Sequence, residues 1–361
     1  MRSRFDIASA RRALPAAVAA ACLIAVPAAS AHPHRLKLRP LSSTASAAES
    51  VRLFRPKAPD RVRPTVLDAR AARRITAHAS TTSFRTADGV TIPVAVSSAY
   101  TPDPSVEQGY VNFLGGLVHG SELGKISVYI ATPSQIENSF CGAGALACYV
   151  GDEERMYVPG VGEHSDPPVQ FLIAHEYGHH IELNRSDAPW SAYDKGVKHW
   201  ASYENVCALE RRARIGTNYY NDPSEAFAES YADMQFPGVD FIYTDLLQPD
   251  HGAFKAIRAD VLNPWHGPRG VTLRGSFADH GPSTRSFRVQ TPLDGSASFD
   301  LTAHAGASYS VRVLSGGSAS RHRVLHAAAA ASYTICGERS LTVQVTRSWG
   351  SGPFSLAASL P

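Results

Sequence analysis

The sequence predicts an α+β domain over residues 81–262, followed by an all-β sandwich of jelly-roll-like type over residues 263–361. Two observations support this fold class. Before about residue 263, apolar positions at helical spacing are interspersed with short strand-like runs, which is typical of a mixed domain. Beyond that point, short alternating runs are separated by Gly, Ser and Thr turns, as in antiparallel β domains.

Residues 1–31 are predicted to be a secretory signal peptide. Basic residues precede an apolar stretch from Leu14 to Ala29, and small residues fit a cleavage site after Ala31. We therefore expect a secreted, extracellular protein with no integral membrane segment after signal cleavage. The export route stays open, because Arg11-Arg12 also fits a twin-arginine signal.

The charge of the chain is segregated. Residues 32–80 carry eleven Lys or Arg against three acidic side chains, a net charge of +8, whereas residues 81–361 sum to −8. The basic segment is interpreted as either a linker or a propeptide, and the sequence leaves both open. Nucleic acid is not expected as a partner, because the acidic remainder lacks a basic stripe interleaved with aromatic residues.

Local patterns predict the elements of the α+β domain. A helix through Phe171–Leu183 is expected to begin near Ser165-Asp166-Pro167-Pro168, where a capping side chain and first-turn prolines suit an N-terminus. Two strand-like runs around the turn 151–154 predict a hairpin. The predicted strands are Thr91–Val96, Ile126–Ile130, Ala147–Val150 and Arg155–Val158, and the other predicted helices are Val106–Val118, Gly196–Arg214 and Pro223–Gln235.

In the C-terminal part, alternating runs predict strands at 286–289, 297–301, 309–313 and 341–345. The pattern of short strands and turns in this region, and its position at the C-terminus, resemble the prepeptidase C-terminal domains that follow many secreted bacterial peptidases. That resemblance implies a β-sandwich that could contact a surface or a glycan.

Four cysteines remain after signal cleavage, and an even number in an exported protein predicts two disulfides. Three pairings are open. The short loop between Cys141 and Cys148 favours a local bridge, which would leave Cys207 to pair with Cys336.

The sharpest functional signal is His175-Glu176-Tyr177-Gly178-His179. Helical residues four apart share a face, so both imidazoles can reach one metal ion while Glu176 lies beside a metal-bound water. Zinc is the expected metal, with one ion per chain. His180 points away from that face, so it is expected either to support a metal ligand or to have a structural role. Gly178 is unfavourable inside a helix, which favours a close backbone approach there.

A catalytic zinc takes a third protein ligand, and the segment 222–229 offers one. Glu225 and Glu229 share a helix face, so Glu225 can bind the metal while Glu229 holds a ligand imidazole. Two alternatives stay open. Asp222 and Glu225 also fit a capping box that starts a helix, and Asp222 itself is a rival metal ligand.

These two motifs resemble those of the zincin metallopeptidases of gluzincin type, and Glu225-Ala226-Phe227-Ala228-Glu229 is similar to the corresponding helix of anthrax lethal factor-type peptidases. The resemblance covers residues 100–240, roughly, and implies a zincin-like α+β catalytic domain. It implies a tyrosine that stabilises the developing oxyanion, for which Tyr219 and Tyr220 are the candidates. The other implied roles are zinc binding for His175, His179 and Glu225, general base for Glu176, and support of a ligand for Glu229.

The sequence therefore predicts a secreted zinc-dependent endopeptidase that acts on protein or peptide substrates, with Glu176 taking a proton from a metal-activated water. Arg155–Val158 is the expected edge strand for pairing with an extended substrate. The alternative is a non-catalytic, zinc-stabilised binding or adhesion protein with a vestigial site. Retention of Glu176 argues against it, because a purely structural zinc site has no use for that carboxylate.

Overall fold

A computed structural model describes residues 38–42, 79–160, 168–185, 195–315, 323–326 and 331–361. The predicted signal peptide 1–31, most of the basic segment 32–80 and the predicted capping residues 165–167 lie outside the described residues. Among the helices that are described, none has the length and apolar character needed to span a membrane.

The first half of the described chain contains a five-stranded mixed sheet. Its strands are β1 (Ser80–Arg85), β2 (Thr91–Val96), β3 (Ser127–Ala131), β4 (Cys148–Val150) and β5 (Arg155–Pro159), in the order β1-β2-β3-β5-β4. The three central strands run parallel, whereas β1 and β4 pair antiparallel at the two sides. The predicted strand over 91–96 and the predicted hairpin of β4 and β5 are confirmed.

The position of β5 corrects one expectation. Arg155–Val158 was expected at the edge of the sheet, and this is wrong because β5 pairs with β3 on one side and with β4 on the other. The strand that ends the sheet on this side is β4. A hairpin pattern in the sequence shows that two strands pair, but not which of them also pairs with a distant third strand.

Six α-helices and several shorter helical turns surround this sheet in the described residues. The helices are α1 (Pro104–Gly116), α2 (Val169–Leu183), α3 (Lys198–Tyr203), α4 (Val206–Arg211), α5 (Pro223–Gln235) and α6 (His251–Leu262). The shorter turns are Ser121–Lys125, Pro133–Gln135, Ile136–Phe140, Gly151–Glu153, Tyr219–Asn221 and Asp245–Leu247.

Helix prediction succeeds where the chain carries a clear start signal. The predicted helix over 223–235 is confirmed, and Asp222 caps it by accepting the backbone N–H of Ser224. The predicted single helix over 196–214 is wrong, since it is divided into α3 and α4. Asn205 between them adopts the left-handed conformation with φ at 56°, which interrupts helical hydrogen bonding and which Asn tolerates better than most residues.

Helix α2 lies in the interior of the molecule. Its apolar side chains Phe171, Ile173 and Ile181 are almost completely buried, and they join one cluster with side chains of β2, β3, β5, α1 and α5. The other face of the sheet carries a smaller cluster around Tyr129, Phe140 and Tyr157. Because α2 is covered on nearly all sides, its polar residues are held among neighbouring elements rather than in solvent.

The C-terminal part consists of strands. The strands are β6 (Arg269–Phe277), β7 (Thr284–Gln290), β8 (Gly295–Ala303), β9 (Ser308–Ser315), β10 (Arg323–His326), β11 (Ala331–Ile335), β12 (Ser340–Trp349) and β13 (Gly352–Leu360). They form two four-stranded antiparallel sheets with the orders β10-β9-β12-β7 and β11-β8-β13-β6, and buried side chains of both sheets make up one hydrophobic cluster. The chain is therefore of α+β type with a sheet-rich C-terminal region.

The described residues contain two disulfides, and they have the pairing that the loop lengths favour. Cys141 bonds to Cys148 at the start of β4, and Cys207 of α4 bonds to Cys336 after β11. The second bond ties the helical part to the C-terminal sheets, and Arg339 strengthens the junction by donating to the backbone carbonyl of Ser202. Disulfides fit an oxidising compartment.

Candidate metal centre

His175 and His179 of α2 face the same carboxylate. The Nε2 atom of His175 lies 3.4 Å from Oε2 of Glu225, and the Nε2 atom of His179 lies 3.5 Å from the same oxygen. One nitrogen or oxygen atom from each of the three residues lies within 4.8 Å of the others, and this is the group of donors that the described residues offer to a metal ion. The structure thus brings together the three residues that the sequence singled out as ligands.

The close packing of α2 on α5 brings this carboxylate to the histidines. A Cβ atom at Gly178 would lie only 2.7 Å from the Cα atom of Ala228, so the two helices meet at a distance that only glycine permits. Glu225 and Glu229 lie one helical turn apart on α5 and therefore both reach α2. The close approach inferred from Gly178 is confirmed.

Carboxylates hold the other nitrogen of each imidazole. Nδ1 of His175 lies 3.1 Å from Oε2 of Glu229, and Nδ1 of His179 lies 3.3 Å from Oε2 of Glu182. Since a carboxylate accepts, each Nδ1 carries a proton, which leaves each Nε2 facing Glu225. Ser224 also donates its hydroxyl to Oε2 of Glu182, at 2.7 Å.

Glu182 was missed by the sequence reasoning, although it lies three residues after His179 and is fully buried. The helical i, i+3 spacing was the available signal. The motif His175–His179 does not include Glu182, so this spacing did not lead to a predicted role for Glu182. Asp222, the rival ligand, instead caps α5 through the backbone N–H of Ser224.

Burial and mutual attraction set the electrostatics of this cluster. Burial opposes protonation of His175, but hydrogen bonds to Glu225 and Glu229 outweigh it and raise the pKa of His175 to about 9. Burial also disfavours the charged form of Glu225, but the imidazoles of His179 and His175 outweigh it and hold the pKa of Glu225 well below its usual range. The carboxylates around the imidazole rings of His175 and His179 therefore stabilise positive charge in this cluster.

Glu176 lies next to the cluster and next to the edge strand β4. Its carboxylate accepts a hydrogen bond from the backbone N–H of Tyr149 in β4. Burial raises the pKa of Glu176, and the neighbouring His175 and His179 only partly offset this. Glu176 is therefore the carboxyl group of this cluster that is linked to the edge of the sheet.

His180 fixes α2 against β4. Nε2 of His180 lies 2.9 Å from the carbonyl oxygen of Glu122, which can only accept, so Nε2 donates there and Nδ1 accepts the hydroxyl of Tyr149 at 2.8 Å. Burial lowers the pKa of His180, in keeping with a neutral ring. The structural role expected for His180 matches these contacts.

Two tyrosines extend the cluster, and only one of them was predicted. Tyr243 donates its hydroxyl to Oε2 of Glu225 at 3.2 Å, and its hydroxyl oxygen lies 2.9 Å from that of Tyr219. Burial and the carboxylates of Glu225 and Glu176 raise the pKa of Tyr219. Tyr220 contacts the ring of Tyr219 edge to face, at 5.5 Å between centroids. Tyr243 could not be found from spacing, because a loop rather than a helix brings it back to the site.

The sequence matches no protein-family profile and no curated protein. Three solved structures resemble parts of the chain. The Yersinia pseudotuberculosis-derived mitogen has a TM-score of 0.22 and 12% identity over 26% of this chain and 87% of its own. Aeromonas hydrophila PliG, a periplasmic inhibitor of g-type lysozyme, has a TM-score of 0.22 and 16% identity over 27% of this chain and 91% of its own. The pre-peptidase C-terminal domain of a Bacillus anthracis collagenase has a TM-score of 0.20 and 14% identity over 25% of this chain and 88% of its own. This likeness is weak and partial.

Proposed function

We propose that this protein is a secreted zinc-dependent endopeptidase of the gluzincin type, built on a zincin-like catalytic domain. The observation that carries the proposal is the orientation of the two histidines. Each ring is held at Nδ1 by a carboxylate, and each Nε2 faces the same oxygen of Glu225. Two imidazoles and one carboxylate are the protein donors of many catalytic zinc sites, which keep one position for water.

Zinc fits the donor set that these side chains provide. His175, His179 and Glu225 would hold the ion, and Glu229 and Glu182 would fix the tautomer and orientation of the two rings. When bound, the ion would acidify a water molecule and polarise a substrate carbonyl. The surplus of carboxylates over imidazoles is consistent with a divalent cation as the balancing charge.

Glu176 would act as the general base. Burial raises its pKa, and a base whose pKa lies closer to neutrality transfers protons more effectively at neutral pH. Its carboxylate would take the proton of the attacking water and then deliver it to the nitrogen of the leaving amine. The hydrogen bond from the Tyr149 backbone orients this carboxylate beside β4.

Strand β4 would align the substrate. It ends the sheet among the described residues and lies beside Glu176, so main-chain pairing of an extended peptide along it would bring the peptide to the candidate metal centre. Pairing of this kind requires backbone on both sides of the scissile bond, which supports endopeptidase action. Tyr219 rather than Tyr220 would stabilise the oxyanion, since its hydroxyl lies 2.9 Å from that of Tyr243, which itself contacts Glu225.

The test compares zinc content and casein cleavage in the wild type and in Glu176→Gln. We expect one zinc per chain in both proteins, and at least a ~100-fold lower rate in the variant because only the base is lost. The matched control is Glu107→Gln, a buried glutamate of α1 outside the cluster, which should cleave casein like the wild type. If all three proteins bind zinc and none cleaves, the non-catalytic zinc-stabilised binding protein becomes the better explanation.

A further inference from the structure

A short N-terminal segment, Leu38–Ser42, lies against the catalytic part of the chain. Leu38 and Leu41 are exposed by only 3% and 6%, and both belong to the main hydrophobic cluster. The backbone N–H of Leu41 donates to the carbonyl oxygen of Gly160 at 3.1 Å, and the carbonyl oxygen of Ser42 accepts the N–H of Thr101 at 2.9 Å. The segment thus combines buried apolar side chains with main-chain pairing.

The receiving groove lies between the start of α1 and the end of β5. Leu38 approaches Gly109 of α1, where an added Cβ atom would lie 3.8 Å from its Cδ2 atom. Arg39 donates to the hydroxyl of Ser105 at the N-terminus of α1, beside the capping residue Asp103. The groove therefore accepts an extended segment with two apolar side chains and a basic residue between them.

Residues 43–78 separate this segment from β1 along the chain. A covalent connection holds the segment near the groove at an effective concentration of roughly millimolar order, and a cut in the chain removes that contribution. The contacts themselves must then supply the interaction. Buried leucines and backbone hydrogen bonds are the same contributions that hold peptides in protein grooves.

We propose that Leu38–Ser42 is a docking segment that stays bound to the groove of α1 and β5 when the chain is cut within residues 43–78. The occupant of this groove is the protein's own N-terminal segment. Cleavage in the basic region would then produce a two-fragment protein held together without a covalent bond, rather than release a propeptide. This inference does not depend on the proposed peptidase activity.

The test uses the full chain with a recognition site for a site-specific protease inserted between Ala48 and Glu49. The folded protein is cut, and size-exclusion chromatography with mass spectrometry follows the N-terminal fragment over time. We expect the fragment to co-elute with the remainder of the chain. Separate elution of the wild-type fragment directly after cutting overturns the proposal.

Substitutions in the segment test whether these contacts hold the N-terminal fragment after the cut. Leu38→Asp together with Leu41→Asp should release the fragment, because charged side chains cannot occupy the buried positions. If that variant fails to fold, Leu41→Ala serves instead and should speed release by at least about tenfold. Ser42→Ala is the control and should change release little, since its side chain is exposed and its bond to Thr101 uses the backbone carbonyl. Equal retention of all variants contradicts the assignment.

Discussion

His175 and His179 are each bonded to a carboxylate at Nδ1 and face Glu225 with Nε2. This arrangement depends on Glu229 for His175 and on Glu182 for His179, so these two carboxylates determine which ring nitrogen faces Glu225. Glu182 has no solvent exposure, and burial raises its pKa to about 8. A residue outside the sequence motif therefore has a direct influence on the metal site.

Glu182→Gln is expected to lower zinc affinity by about 10- to 100-fold, because an amide holds the Nδ1 proton of His179 less strongly than a carboxylate. Competition with a zinc chelator measures the affinity, and Glu229→Gln should give a loss of similar size. Glu107→Gln again provides the control. An affinity for Glu182→Gln equal to that of the wild type contradicts the role given to this side chain.

The two candidate tyrosines make different contacts, and this difference can be measured. Tyr219→Phe should lower kcat by at least about 100-fold if its hydroxyl stabilises the oxyanion, with KM much less affected. Tyr220→Phe is the matched control, because the contacts described for Tyr220 are with Tyr219 and, through its carbonyl, with Thr244. Steady-state kinetics on a peptide substrate separate the two variants. Equal kcat for both would remove Tyr219 from the mechanism.

At the level of helices and strands, the site depends on two elements that meet α2. Helix α5 crosses α2 at Gly178 and Ala228, which places Glu225 and Glu229 beside the histidines. Strand β4 meets α2 through Tyr149, whose backbone bonds to Glu176 and whose hydroxyl bonds to His180. The disulfide of Cys148 fixes the start of the same strand.

Gly178→Ala tests the crossing of α2 and α5. Helix propensity alone would make alanine more stable by about 1 kcal/mol, whereas the clash with Ala228 should cost about 1–3 kcal/mol and displace α5. We expect a net loss in the free energy of unfolding together with weaker zinc binding, measured by urea denaturation and chelator competition.

Gly216→Ala is the control for this substitution, because an added Cβ atom there meets nothing within 4 Å. It should leave both properties nearly unchanged. An increase in stability for Gly178→Ala would mean that the helices do not approach as closely as the structure indicates.

Sequence reasoning performed well where the signal is local. The cap at Asp222, the period of α5, the hairpin of β4 and β5 and the short disulfide loop all lie within a few residues of one another. It failed where the answer depends on distant partners. The pairing of β5 with β3 and the return of Tyr243 to Glu225 join segments that carry no shared pattern.

At the level of the complete chain, the C-terminal sheets are attached to the helical part by more than a peptide connection. Cys207 bonds to Cys336, and the backbone N–H of Asp294 donates to the hydroxyl of Ser202 at 2.9 Å. Arg339 reaches both Asp294 and Ser202, so a single side chain bridges the junction. These contacts fix the C-terminal sheets to the helical part of the chain.

Removal of the two disulfides should have unequal effects. The bonds close sequence separations of 7 and 129 residues, and the chain-entropy model gives a loss about 2.6 kcal/mol larger for the longer loop. Paired Cys→Ser variants, one for each bond, can be compared by urea denaturation. A larger loss for Cys141→Ser with Cys148→Ser would show that the bond at β4 supports the fold more than the bond at the junction.

Zinc titration of metal-free protein decides whether the cluster of His175, His179 and Glu225 is a catalytic metal site. The protein is stripped with a chelator, and casein cleavage is followed as zinc is added back. We predict no cleavage without metal and full activity at one zinc per chain, with neither binding nor cleavage in His179→Ala. Cleavage by the stripped protein, or failure of the wild type to bind zinc, would contradict the proposed function.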